Sequence, residues 1–155
     1  MKVSTRHGRL RLRLEPIEVD LLLSLLDQLE AVVDAEAESD PVRARLFPSA
    51  YRDDPDAAAE YRSLTEETLT ADRVDRIGAT RAELAQGGDI DLTVHEVSRR
   101  WIQVLNDLRL ALGTRLGVTE DDRPDFDPEG PDGQIRAIYH WLTAVQDSVV
   151  AALLP

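Results

Sequence analysis

Residues 15–34 read Glu15-Pro16-Ile17-Glu18-Val19-Asp20-Leu21-Leu22-Leu23-Ser24-Leu25-Leu26-Asp27-Gln28-Leu29-Glu30-Ala31-Val32-Val33-Asp34, and this stretch decides the fold class. Val19, Leu22, Leu26, Leu29 and Val33 recur at alternating spacings of three and four, while Asp20, Ser24, Asp27, Ala31 and Asp34 follow the opposite stripe. Only a helix puts the first set on one face and the second on the other. Pro16 suits its first turn, where a missing N–H costs nothing. Leu21, Leu25 and Val32 widen the apolar face, so the helix should touch more than one neighbour and sit centrally.

Upstream the period changes. Arg9-Leu10-Arg11-Leu12-Arg13-Leu14 alternates strictly, which in an extended strand places three arginines on one face and three leucines on the other. His7-Gly8 supplies a turn, making Lys2 to Arg6 the first strand of a hairpin. Two strands alone are marginal in water, so the leucine face must rest on helices.

Downstream, Asp40-Pro41 opens a short helix ending near Leu46, stopped by Phe47-Pro48. Asp54-Pro55-Asp56 starts another through Tyr61, and the capping-box pattern Ser63-Leu64-Thr65-Glu66 predicts a further one to about Gln86, halted by Gly87-Gly88. Ile90-Asp91-Leu92 has the pattern of a short strand. Thr93-Val94-His95-Glu96 is a second capping box, and the helix after it carries Val94, Val97, Trp101, Leu105, Leu108, Leu112 and Leu116 on one side, with Gly117 as its C-cap. Opposite that face lie Arg99, Gln103, Asn106, Leu110 and Gly113, which fit a second intramolecular contact or a protein interface. Residues 118–133 are crowded with carboxylates and prolines and read as an acidic loop. The final helix has Ile135, Ile138, Leu142, Val145, Val149 and Ala152 in register.

The expected fold is therefore mainly α, with about five helices packed as a bundle beside a small N-terminal β-hairpin. One domain spans 1–155: hairpin 1–14, helical core 16–117, acidic loop 118–133 and C-terminal helix 134–154. The helices starting near 16, 93 and 134 should make the core.

Composition narrows the function. The 155 residues hold 18 Lys+Arg, 30 Asp+Glu and no cysteine, a formal charge of −12. The first 14 residues hold Lys2, Arg6, Arg9, Arg11 and Arg13 and no acid, leaving 13 basic against 30 acidic residues, −17, in the rest. A basic edge sits on an acidic body. The absence of cysteine excludes disulfides, thiolate metal sites and thiol redox chemistry together, and a reducing cytoplasm is the expected compartment. Apolar runs fall far short of the roughly 20 residues a membrane span needs.

Catalytic signatures are missing. His7, His95 and His140 have no partner in a ligand motif, and no Gly-x-Ser-x-Gly elbow or phosphate loop is present. Asp125-Phe126-Asp127-Pro128-Glu129-Gly130 imitates half a calcium loop, but its twelfth position is Arg136 instead of glutamate. Asp53 and Asp54 have the residue types for acid–base or metal-assisted hydrolysis, yet Asp-Asp-Pro is also an ordinary helix start. The strongest hint of a partner is the Arg9, Arg11 and Arg13 face. Those arginines lack interleaved aromatics and belong to an acidic chain, which disfavours direct nucleic-acid contact and favours an acidic protein, a second copy, or the chain's own acidic loop.

Three segments then carry a resemblance: Leu46-Phe47-Pro48-Ser49-Ala50-Tyr51-Arg52-Asp53-Asp54-Pro55, Leu105-Asn106-Asp107-Leu108-Arg109-Leu110-Ala111-Leu112-Gly113-Thr114-Arg115-Leu116-Gly117-Val118-Thr119-Glu120, and Tyr139-His140-Trp141-Leu142-Thr143-Ala144-Val145-Gln146-Asp147-Ser148. With the hairpin and first helix, the chain resembles an uncharacterised actinobacterial family, often encoded beside the ClpS adaptor, that includes the AosR-type oxidation-sensing transcriptional regulator. The resemblance implies a small helical protein of transcriptional or stress regulation, with no catalytic residues or cofactor to carry over. Its oxidation-sensing branch uses paired cysteines, and this chain has none. The motif residues Phe47, Tyr51, Arg52, Asp53, Asp54, Asn106, Asp107, Arg109, Thr114 and Arg115 are the family's mark. Asn106, Asp107, Arg109, Thr114 and Arg115 are expected to hold the Phe47 to Asp54 loop by polar contacts. The function these readings converge on is a non-enzymatic regulator or adaptor working through a protein partner, with no membrane role.

Overall fold

The computed structural model describes residues 1–34, 41–47, 54–117 and 129–155. The chain runs β1 (Lys2–Arg6), β2 (Arg9–Arg13), α1 (Pro16–Asp34), α2 (Pro41–Leu46), α3 (Pro55–Ala85), β3 (Asp89–Asp91), α4 (His95–Leu116) and α5 (Gly133–Leu153). The mainly α class is as expected. The strands form more than a hairpin: β3 joins the far side of β2, giving an antiparallel sheet in the order β1-β2-β3.

His7 and Gly8 both take positive φ, 50° and 74°, as a two-residue hairpin turn requires. Leu10 and Leu12 are buried beneath β2, with Ile90 beside them from β3. The leucine face rests on the helices as its alternation demanded. The β3 strand is fixed at its end by Gly88, whose carbonyl accepts a 2.7 Å hydrogen bond from the Leu14 N–H.

Leu22, Leu26, Leu29 and Val33 of α1 are all sealed in the core, together with Trp101, Leu105 and Leu108 of α4 and Leu142, Val145 and Val149 of α5. α3 also contributes Ile77 and Leu84, so the core rests on four long helices and not only on α1, α4 and α5. Leu110 packs against this core and Gly113 is buried, which makes the second face of α4 an intramolecular contact.

Two local expectations are corrected. The helices predicted over 54–61 and 63–86 are one continuous helix, α3, which starts where Asp54 caps it by accepting from the Ala57 N–H at 3.1 Å. Once begun, a helix gains one hydrogen bond per added residue, and the internal Ser63-Leu64-Thr65-Glu66 pattern does not interrupt it. Thr93 does not cap α4: its Oγ1 accepts from the Leu10 N–H at 3.1 Å, and Val94, expected on the buried face, is 60% exposed. The hydroxyl is spent on the sheet. Tyr51, Arg52, Asp53, the calcium-like segment 125–128 and residues 118–124 of the acidic loop lie outside the described residues.

Candidate partner-binding site

The register of the sheet assembles a single charged face. Lys2 stands opposite Arg13, Ser4 opposite Arg11 and Arg6 opposite Arg9, and directly paired residues project from the same side. On the far side of β2, Arg11 faces Asp91 and Arg13 faces Asp89. The outer surface thus carries Lys2, Arg6, Arg9, Arg11 and Arg13 with Asp89 and Asp91.

The acids occupy only one end of this face. Arg11 donates through Nε to Asp89 Oδ1 and through Nη1 to Asp91 Oδ2, both at 3.0 Å, and Arg13 Nε lies 3.8 Å from Asp89 Oδ1. Asp89 is held below its ordinary pKa chiefly by the Arg11 hydrogen bond. Asp91 is lowered first by hydrogen bonds from Thr93 and then by Arg11. Lys2, Arg6 and Arg9 are exposed, and among the described residues no carboxylate pairs with them. Among the described residues, Lys2 and Arg6 of β1 and Arg9 of β2 have no carboxylate partner, whereas Arg11 and Arg13 are engaged within the chain. Of the predicted trio, only Arg9 therefore has a guanidinium uncommitted among the described residues. Lys2 and Arg6 complete the group, and the pairing register alone identifies them. Asp89-Ile90-Asp91-Leu92 repeats the Arg-Leu alternation with opposite charge, a signal of this pairing that sequence reading had within reach.

The family-motif residues form a different, internal arrangement. Asp107, only 6% exposed, lies 3.3 Å from Arg73 Nε and 3.8 Å from Arg76 Nη2. Burial raises its pKa, against the downward pull of the two arginines. Arg76 Nε has no hydrogen-bond partner. Arg73 also lies over the Phe47 ring, 4.7 Å from its centroid, with Arg43 at 4.9 Å. Arg43 ties this group to the end of α1, donating to the Val33 carbonyl at 2.6 Å. Asp107 thus reaches Phe47 through Arg73, across three helices.

Arg109 is expected to hold the Phe47 to Asp54 loop, of which residues 48–53 lie outside the described residues; its described contacts run to α5. It donates to Thr143 Oγ1 at 3.0 Å and Gln146 Oε1 at 2.6 Å and lies over Tyr139, so it clamps α5 to α4. Thr114 donates to the Leu110 carbonyl of its own helix, Asn106 is exposed, and Arg115, also exposed, lines a groove with Leu29, Val32, Leu108 and Leu112. Asp54 is the α3 N-cap. No group of three or more His, Cys, Asp or Glu able to hold a metal occurs among the described residues, and no helix there is long and apolar enough to cross a membrane.

The chain belongs to a family defined as a domain of unknown function, DUF2017, whose model matches residues 1–153. Among curated relatives it is similar to the oxidative stress regulator AosR of Mycobacterium tuberculosis H37Rv, 31% identical over 189 residues, covering 99% of this chain and 86% of that protein. The same figures hold for the Mycobacterium bovis protein of that name, and a putative AosR of Mycobacterium leprae is 30% identical over 190 residues, covering 99% and 87%. No solved structure matches the chain.

Proposed function

We propose that this chain is a non-enzymatic regulator that works by holding a protein partner on the basic outer face of its sheet. One observation carries the reading. Lys2, Arg6 and Arg9 are clustered, exposed and, among the described residues, without carboxylate partners on a protein of formal charge −12. A cluster of one sign on a body of the other gives orientation and selectivity to an encounter. The naming of its relatives as oxidative stress regulators supports a regulatory role. Without cysteine, this chain does not sense oxidants through a thiol, so its input arrives through the partner it binds.

The engagement of Arg11 and Arg13 by Asp89 and Asp91 argues against a nucleic-acid surface, which would gain from every cation facing the phosphates. Asp54 serves as a helix cap, which supports reading the Asp-Asp-Pro sequence as structural. We place the protein in the cytoplasm, where a cysteine-free regulator meets its partners.

Affinity capture from native lysate tests the reading, using wild type and a Lys2→Glu/Arg6→Glu/Arg9→Glu variant of matched stability, each with and without nuclease. Partners retained by wild type after nuclease and lost from the variant are expected. Identical capture by both proteins would remove the face from the function, and loss on nuclease treatment alone would favour nucleic acid.

A further inference from the structure

β1 is an outer strand of the sheet, and its backbone bonding can be read from that of β2. The Leu92 N–H donates to the Leu10 carbonyl, Leu10 N–H to Thr93 Oγ1 and Leu14 N–H to the Gly88 carbonyl. The even residues of β2 therefore turn their backbone groups toward β3. In an antiparallel strand successive residues face opposite neighbours, so Arg9, Arg11 and Arg13 bond to β1 through Arg6, Ser4 and Lys2. Val3 and Thr5 are left with N–H and C=O directed outward. Among the described residues neither makes a backbone hydrogen bond beyond β2, and Thr5 is exposed.

Resting on the function proposed above, we infer that the β1 edge takes up an extended segment of a partner protein in which acidic and apolar residues alternate. The chain already contains such a strand on the opposite edge. β3 sets Asp89 and Asp91 against Arg13 and Arg11 on the outer face and Ile90 against Leu12 on the inner one. The β1 edge offers the same arrangement, with Lys2 and Arg6 on the outer face and Val3 and Thr5 on the inner. A strand added there bonds to the outward groups of Val3 and Thr5, places carboxylates beside Lys2 and Arg6, and sets its apolar residues on the inner side, beside α5, which packs against β1.

A second copy is refused by the same chemistry. Two β1 edges paired antiparallel about Ser4 would oppose Lys2 to Arg6 twice, and cations on an edge strand are a common guard against self-pairing. The edge therefore discriminates by charge between itself and an acidic partner.

The test uses the full chain with a blocked peptide of alternating glutamate and valine, monitored by amide hydrogen exchange and NMR titration. Binding should slow exchange at the Val3 and Thr5 amides, which should exchange faster without peptide. N-methylation of the alternate peptide amides that face β1 leaves charge unchanged and should weaken binding about tenfold or more, since two hydrogen bonds are lost. Lys2→Glu/Arg6→Glu should do the same with the fold's spectrum intact. Equal binding of the methylated peptide, or shifts confined to Arg9, Arg11 and Arg13 without protection of Val3 and Thr5, would overturn the inference. So would tighter binding of a single-stranded oligonucleotide, or protection of the two amides in the free protein at high concentration, the sign of self-pairing. These readouts are separable from the proposed function. Lysate partners that depend on Lys2, Arg6 and Arg9 yet leave the Val3 and Thr5 amides unprotected would keep the regulator and remove the edge.

Discussion

Two carboxylates, half-buried Glu18 and buried Asp107, respond to protons in opposite senses, and each is visible only once the chain has folded. Glu18 accepts from the Met1 ammonium at 2.9 Å, the Glu15 N–H at 2.7 Å and Trp141 Nε1 at 3.2 Å. Burial pushes its pKa up, but these donors together draw it below the ordinary value. Its stabilisation is therefore present above the unfolded pKa and lost as pH falls through the folded one. Glu18→Gln should cost about 2 kcal/mol at pH 7 and progressively less as pH falls below the ordinary carboxylate range, measured by urea unfolding. Asp107 behaves conversely. Its raised pKa means that the folded state holds the proton more tightly, so its contribution is greatest at low pH and declines as pH rises through the folded pKa. Relative to Asp107→Asn, wild type should gain stability between pH 7 and pH 4. Asp107→Ala, which strands Arg73 and Arg76, should cost about 3–5 kcal/mol. A wild-type advantage over Asp107→Asn that grows toward neutral pH would show that the arginines outweigh burial.

At the scale of elements, periodicity made α1, β2, α4 and α5 legible, because each buries a face whose spacing matches its own geometry. Leu142, Val145 and Val149 of α5 are fully buried, as their spacing implied, while Ile135 at its start is 40% exposed. Replacing Leu108 or Leu142 by Ala should cost about 2–5 kcal/mol, read from thermal or urea melts. What misled were short local patterns whose donors and acceptors found other partners. Thr93 looked like a cap and serves β2, and Ser63 looked like a start and lies within α3. The Asp107 group was not legible at all, since Arg73 and Asp107 lie 34 residues apart and no period links them. Glycines show the same division. A Cβ at Gly88 would fall 2.2 Å from the Leu14 carbonyl oxygen, backbone that cannot yield cheaply, whereas one at Gly78 inside α3 meets nothing within 4 Å. Gly88→Ala should destabilise by about 1–3 kcal/mol and loosen β3, while Gly78→Ala should stabilise by about 0.5–1 kcal/mol through helix propensity alone. Equal effects at the two sites would refute the close approach.

For the molecule as a whole, the basic sheet face and the acidic body act on an approaching acidic partner with opposite signs and over different ranges. At about 0.01 M salt the screening length is roughly 30 Å, so an incoming acidic segment feels the whole charge of −12 and is repelled. At about 0.15 M the length falls to roughly 8 Å, which hides most of the body from a segment at β1 but leaves Lys2, Arg6 and Arg9 within reach across strands about 4.8 Å apart. Near 1 M the local attraction is screened too. The association rate for the glutamate–valine peptide should therefore rise from low salt to a maximum at intermediate ionic strength and then fall, in stopped-flow fluorescence with a labelled peptide. A surface that simply attracted polyanions would instead show its fastest association at the lowest salt and a steady decline. The Lys2→Glu/Arg6→Glu/Arg9→Glu variant removes the local attraction and adds to the repulsion, so its rate should be lower throughout and climb with salt without a maximum. A monotonic fall for wild type would mean that the acidic body does not oppose the encounter, and that the segment approaches from a direction in which only the basic face is felt.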